Sequence, residues 1–242
     1  MRIKEHLSLK GRVLLLIGNG PSSWWIKPDT IALIRQSCSR VTISGCNRVG
    51  ALLGCDVVGA IDRKMIVELM NSSSSPDHAA MVFESQALNE ASVAGEFIPV
   101  DGVPWCVGRE VFLMESAKEG TSTGAALFAE LIACGPDATI LTGFDGGCDP
   151  RTREQDMPHY KHRPALPHIL DHWLDQMRHA AVKAIASDVC GPVIIPDCKN
   201  ENVLKDLHRR YDGAVWKTDA AADTVWLSRF IAHHGITASC QS

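Results

Sequence analysis

Nine cysteines are present, yet no two form a CxxC pair. That excludes a ribbon of paired Cys knuckles around zinc and a thioredoxin-type redox centre. The cysteines are odd in number and scattered, at Cys38, Cys46, Cys55, Cys106, Cys134, Cys148, Cys190, Cys198 and Cys240. Cys38, Cys134 and Cys190 sit in apolar or helical contexts where the thiol acts as a small hydrophobe. The expected compartment is a reducing cytoplasm. Excess positive charge is also lacking. The formal net charge is -4, which gives no global case for nucleic acid or an anionic membrane. The apolar run Leu14 to Ile17 is far too short to span a bilayer. The opening residues Met1 to His6 carry charge without a following apolar stretch, so they do not read as a secretory signal. No internal repeat is visible. GxGxxG, GxxxxGK[ST] and HExxH are all absent.

What the chain does have is alternation. Its 242 residues, 45% hydrophobic and 21% charged, are ordinary for a globular protein and long enough for one α/β domain spanning 1–242. Buried strands are expected at Val13–Ile17, 41–44, 56–61, 79–84, Ala138–Thr142 and 192–195. Between them come helical patterns at Pro28–Ser37, 49–53, 63–70, 122–134 and 166–187. Further helices are expected at 201–211 and 221–233. The stretch 86–118 is weaker, with strand pieces at 96–100 and 110–113. Asn71 to Asp77 is a Ser-rich loop. Strands alternating with helices predict an α/β, Rossmann-like fold, with a mostly parallel sheet and helices on both faces.

In such sheets ligands bind beyond the carboxyl ends of the strands. The loops expected there are 18–23, 45–47, Asp62 and 143–147. The first is the most informative. Val13–Ile17 runs straight into Gly18-Asn19-Gly20-Pro21-Ser22-Ser23. Gly18 and Gly20 allow positive φ and close ligand approach, Asn19 tolerates the left-handed region, and Pro21 stiffens the exit. The backbone N–H groups of such a turn can point at phosphate oxygens. The same residues would also serve an ordinary strand-to-helix turn.

Two blocks carry a family resemblance. One is Gly18-Asn19-Gly20-Pro21-Ser22 followed by Cys46-Asn47. The other is Thr121-Ser122-Thr123-Gly124, its helix, then Gly143-Phe144-Asp145 and His159-Tyr160-Lys161-His162. In order and spacing, over roughly residues 11–200, this resembles the bacterial sialyltransferases of glycosyltransferase family 42. It is also similar to the wider group of GNGPS-loop proteins of the pterin-diphosphokinase-like kind. The resemblance implies a nucleotide-sugar donor, CMP-sugar-like, and a lid, here about 146–166. It implies donor contacts from Gly18, Asn19, Gly20, Pro21, Ser22, Asn47, Ser122, Thr123, Gly124 and Asp145. Asp62 stands where the family has an asparagine, as in the wider group, and could hold a ribose hydroxyl or a metal. The lid histidine of the family is the proposed general base; His162 is the favoured counterpart and His159 the other. The family's arginine falls near Gly120 and its first tyrosine near Gly147. Tyr160, Lys161 and Arg163 of the lid remain to meet a phosphate, together with Arg151 and Arg153.

Chemically, a neutral histidine suits proton abstraction because its pKa lies near working pH. Ser122 reads as a helix N-cap, and a helix start attracts anions. His168, His172, Asp175 and His179 share one face of a helix. That face reads as polar and solvated, with Ile169, Trp173 and Met177 turned inward, and a zinc or manganese site is the competing reading. Trp24 and Trp25 pack the first helix or wall an acceptor groove. The segment 221–233 reads as a core or homo-oligomer helix. The expected activity is glycosyl transfer from a nucleotide-sugar to an acceptor hydroxyl on a glycan, a lipid-linked sugar or a modified nucleobase, with no cofactor required. The alternatives are Mg²⁺-dependent diphosphate transfer to a pterin-like alcohol, and a non-catalytic nucleotide-binding protein.

Overall fold

The computed structural model describes residues 1–18, 23, 26, 28–37, 39–72, 79–97, 110–117, 121–144, 167–191, 193–194 and 215–216. After a short 3-10 turn at Ile3–Glu5, the elements are β1 (Val13–Ile17), α1 (Pro28–Ser37), β2 (Val41–Cys46), α2 (Asn47–Leu52), β3 (Val57–Ala60), α3 (Arg63–Asn71) and β4 (Ala80–Glu84). Then come α4 (Ser85–Val93), β5 (Val111–Met114), α5 (Thr123–Ile132), β6 (Ala138–Thr142), α6 (Pro167–Ala186), β7 (Val193–Ile194) and β8 (Val215–Trp216).

The strands form one sheet in the order β5-β4-β3-β2-β1-β6-β7-β8. Every pairing in it is parallel. This is the expected α/β, Rossmann-like fold. The strand β1 is buried along its whole length, as a central parallel strand covered on both faces must be. Alternate residues serve opposite faces: Leu14 and Leu16 enter one core, Val13, Leu15 and Ile17 the other. The first core holds α5 and α6 through Leu127, Phe128, Leu131, Met177 and Ala181. The second holds α1 and α3 through Ile31, Ile34, Ile66 and Leu69.

The handedness of parallel crossovers explains that division. From β1 to β5 the chain steps outward in one direction, so right-handed crossovers put α1 to α4 on one face. After β5 it returns to the far side of β1 and steps the other way, which puts α5 and α6 on the opposite face. The small residues of α5 let it lie close to the sheet. A Cβ on Gly59 of β3 would stand 2.8 Å from Leu127 Cδ1, so that glycine gives the helix its room.

Several details differ from expectation. The stretch 45–47 is not a loop: Gly45 and Cys46 close β2 and Asn47 opens α2, because the strand continues two residues beyond the expected 41–44. Residues 85–93 form α4, which weak apolar periodicity conceals; Glu84 caps it by accepting from the N–H groups of Gln86 and Ala87. Glu96 and Phe97 are not strand, and the rest of 96–100 lies outside the described residues. The strand β5 starts one residue later than expected, and β8 is an unanticipated two-residue strand. The helices expected at 201–211 and 221–233, and the lid at 146–166, lie outside the described residues.

Candidate functional site

The point where the strand order reverses lies between β1 and β6, and it is where such sheets open a crevice. Their register places the strand tips level: Ile17 pairs with Gly45 of β2 on one side and Thr142 of β6 on the other. Just beyond, the N–H of Gly18 donates to the Thr142 carbonyl at 2.8 Å. Gly143 takes φ +75°, a backbone state that side chains disfavour. The two glycines are packed against each other. A Cβ on Gly18 would lie 2.9 Å from the Gly143 carbonyl carbon, and one on Gly143 would lie 2.6 Å from that of Gly18. Only hydrogens fit on this seam.

Phe144 closes the seam from the side of α5. Its ring would be 3.3 Å from a Cβ on Gly18 and 2.7 Å from one on Gly124. The tip of β1 and the first turn of α5 are thereby held to one aromatic ring. At that turn Ser122 accepts from the Ala125 N–H at 3.1 Å, an N-cap as expected. The following N–H groups of Thr123 and Gly124 have no acceptor within the helix. No acidic residue occupies that first turn, so the helix's own side chains leave its partial positive charge uncompensated there.

Asn47 begins α2 at the tip of β2, with φ +54°. Asparagine adopts that conformation more readily than other side-chained residues. It is buried, and the Thr123 hydroxyl donates to its Oδ1 over a long 3.4 Å. Beside it, burial pushes the Cys46 thiol up to about 12, which leaves that cysteine protonated and a poor nucleophile. Asp62 precedes α3 at the tip of β3. It is exposed, and its side chain caps no helix N–H.

Of the expected site residues, Gly18, Asn47, Asp62, Ser122, Thr123 and Gly124 stand on the carboxyl rim of the sheet. Gly18 meets Gly124 through Phe144, and Asn47 meets Thr123. Asn19, Gly20, Pro21, Ser22, Asp145, His159, Tyr160, Lys161, His162 and Arg163 lie outside the described residues. No protein-family model matches the chain, and no curated protein matches it. The site therefore stands on its own residues.

Two roles on the rim escape a sequence reading, that of Gly143 as partner of Gly18 and that of Phe144 as the ring between Gly18 and Gly124. Their signal is the Gly-Phe at the end of β6, but the contact that gives it meaning joins residues far apart in sequence. On α6 the expected polar face is partly visible. Met177 is buried and Trp173 packs partly buried on the core, both inward as expected. His179 Nδ1 lies 2.7 Å from the Asp175 carbonyl of its own helix. Among the described residues no three His, Cys, Asp or Glu side chains gather as a metal site would require.

Proposed function

We propose that the protein is a glycosyltransferase that moves a sugar from a nucleotide-sugar donor, CMP-sugar-like, to an acceptor hydroxyl. The observation that carries this reading is the glycine seam of Gly18 and Gly143 at the reversal of strand order. It holds the tips of β1 and β6 together, backbone to backbone, beside the start of α5, whose first N–H groups have no acceptor within the helix. A departing nucleotide phosphate needs such donors to offset its charge. The acceptor hydroxyl must lose a proton, and the lid's His162, or His159, is the base we assign to that step. The acceptor is a glycan, a lipid-linked sugar or a modified nucleobase. We assign the protein to a reducing cytoplasm; its four described cysteines are free and buried, and no described helix is long and apolar enough to cross a membrane.

One observation favours a second reading. Asp62 is an exposed carboxylate on the rim with no capping duty, suited to a ribose hydroxyl or to Mg²⁺. With Mg²⁺, diphosphate transfer to a pterin-like alcohol becomes the competing reaction.

Thermal unfolding against CMP, CDP, UDP, GDP, ADP and ATP, each with Mg²⁺ or with EDTA, separates the two. A ligand at a hundred times its Kd adds about 2.7 kcal/mol of stability. A shift with CMP in EDTA is the expected result. A shift confined to ATP with Mg²⁺ moves the assignment to diphosphate transfer. No shift with any nucleotide overturns both. For the base, His162→Ala should bind donor as before and lose turnover.

A further inference from the structure

Three side chains link the two helices that flank the glycine seam. Thr121 stands immediately before the Ser122 cap of α5 and is buried. Its hydroxyl accepts from Nε2 of Gln176, on α6, at 2.8 Å. The same amide nitrogen lies 2.9 Å from Nε2 of His172, one helical turn nearer the start of α6. The α5 helix leads into β6, and β6 leads on to α6. The first turns of both helices therefore stand at the carboxyl end of the sheet. His172 lies on the rim side of Gln176, exposed, two hydrogen bonds from the residue that precedes the α5 cap.

The amide also determines which ring nitrogen carries the proton. Gln176 Nε2 gives one hydrogen to Thr121 and one to His172, and its Oε1 is buried without a partner. Turning the amide over would put Oε1 between Thr121 and His172, and would strand both hydrogens of a buried NH₂ group. A buried carbonyl without a partner is the more tolerable of the two defects. His172 Nε2 is therefore the acceptor, and the ring proton sits on Nδ1. The exposed ring keeps an Nδ1–H that the Gln176 contact does not use.

We propose that His172 is a ligand-contacting residue of this site, giving its Nδ1–H to a phosphate oxygen of the bound nucleotide, with Gln176 as the residue that positions it. The inference rests on the nucleotide reading above. It adds a side-chain donor from α6 to the backbone donors of α5, so that the phosphate is gripped from two elements. Gln176 spends its two hydrogens on setting the ring's tautomer and on tying it to Thr121.

The test is long-range ¹H–¹⁵N NMR of the imidazole nitrogens, with titrations of CMP, cytidine and inorganic pyrophosphate into the whole protein. The expected wild-type spectrum shows His172 as the Nδ1–H tautomer, with ring signals that move on adding CMP or pyrophosphate and not cytidine. His172→Ala should weaken CMP about tenfold, the scale of one hydrogen bond to a charged group, and leave any cytidine affinity unchanged. Gln176→Met removes the donor without adding charge, so the ring should populate both tautomers and lose part of the CMP affinity, while far-ultraviolet circular dichroism shows the protein still folded. CMP binding with unmoved His172 signals, or an Nε2–H tautomer in the wild type, overturns this inference and leaves the nucleotide reading standing. Pyrophosphate moving His172 while no nucleotide binds removes the nucleotide reading and, with it, the contact proposed here. If neither CMP nor pyrophosphate binds, both fall.

Discussion

Gly18 and Gly143 occupy each other's side-chain space. Each presents its carbonyl to the point where the other's Cβ would be, and Phe144 covers the edge of the contact. This seam brings β1 and β6 together at the point where the sheet changes direction, and it shapes the floor of the candidate site.

Substituting Gly143 therefore carries two costs. Its φ of +75° costs an L-residue about 1–2 kcal/mol, and the new methyl strikes the Gly18 backbone. Gly95 supplies the control: its φ is +67°, but nothing lies within 4 Å of a Cβ there. Gly95→Ala should cost about 1 kcal/mol, and Gly143→Ala clearly more, about 2–4 kcal/mol. Urea midpoints of the two variants measure the difference. Equal losses would mean that the seam relaxes without cost.

Asn47 separates strain from recognition. With φ +54°, Asn47→Ala should destabilise by about 1 kcal/mol. Asn47→Gly removes the side chain without strain and should stay within about 0.5 kcal/mol of wild type, since the Thr123 contact is long. Both variants should lose nucleotide affinity if the amide faces the donor. Calorimetric titration on the Gly variant provides the check.

Glu130 is a buried carboxylate of α5 that no motif announces. Its Oε1 accepts from the N–H of Glu115 at 2.7 Å and of Ser116 at 2.6 Å, just past the end of β5. Glu130→Ala leaves two backbone donors without an acceptor and should cost about 2–3 kcal/mol. Glu130→Gln keeps one oxygen acceptor and should cost less. If the two variants unfold at the same urea concentration, the hydrogen bonds are not what holds that turn.

The thiols predict an alkaline limit. Burial is the first cause in each case. It pushes Cys46 and Cys134 up to about 12 and Cys190 to about 11, from an ordinary 9.0. Cys55 is pushed up too, by burial and then by Asp56. In the unfolded chain these thiols lose protons from 9.0 upward, while in the fold they keep them. Stability is thus complete below pH 9 and falls as pH rises toward 12, by about 1.4 kcal/mol per pH unit for each thiol. Urea midpoints at about pH 8 and about pH 10.5 should show the drop. Cys46→Ala should have a shallower slope than wild type; an identical slope would remove Cys46 from the account.

Much of this was legible in the chain. Continuous apolar runs such as Val13–Ile17 and Ala138–Thr142 have one low-energy fate, a strand covered on both faces, and they were read at their observed bounds. The helix α5 was recognised from its small residues and its Ser122 cap. The helix α4 was not, because its buried positions are only alanines and its cap is a glutamate, neither of which gives a periodic signal. The two-residue β8 is too short for any pattern to register. Within the site, Gly18 and Asn47 follow directly on a strand and Asp62 stands two residues past one, so each could be picked out near a strand end.

The amino-acid order alone determined the strand and helix alternation, and with it the parallel sheet and the rim where ligands bind, since hydrophobic periodicity and right-handed crossovers are local properties of the chain. Only tertiary structure decided which residues meet on that rim. Gly18 with Gly143, Asn47 with Thr123, and Thr121 with Gln176 are pairs between elements distant in the chain. Each contact depends on how strands and helices are ordered across the sheet, and no local pattern encodes that order.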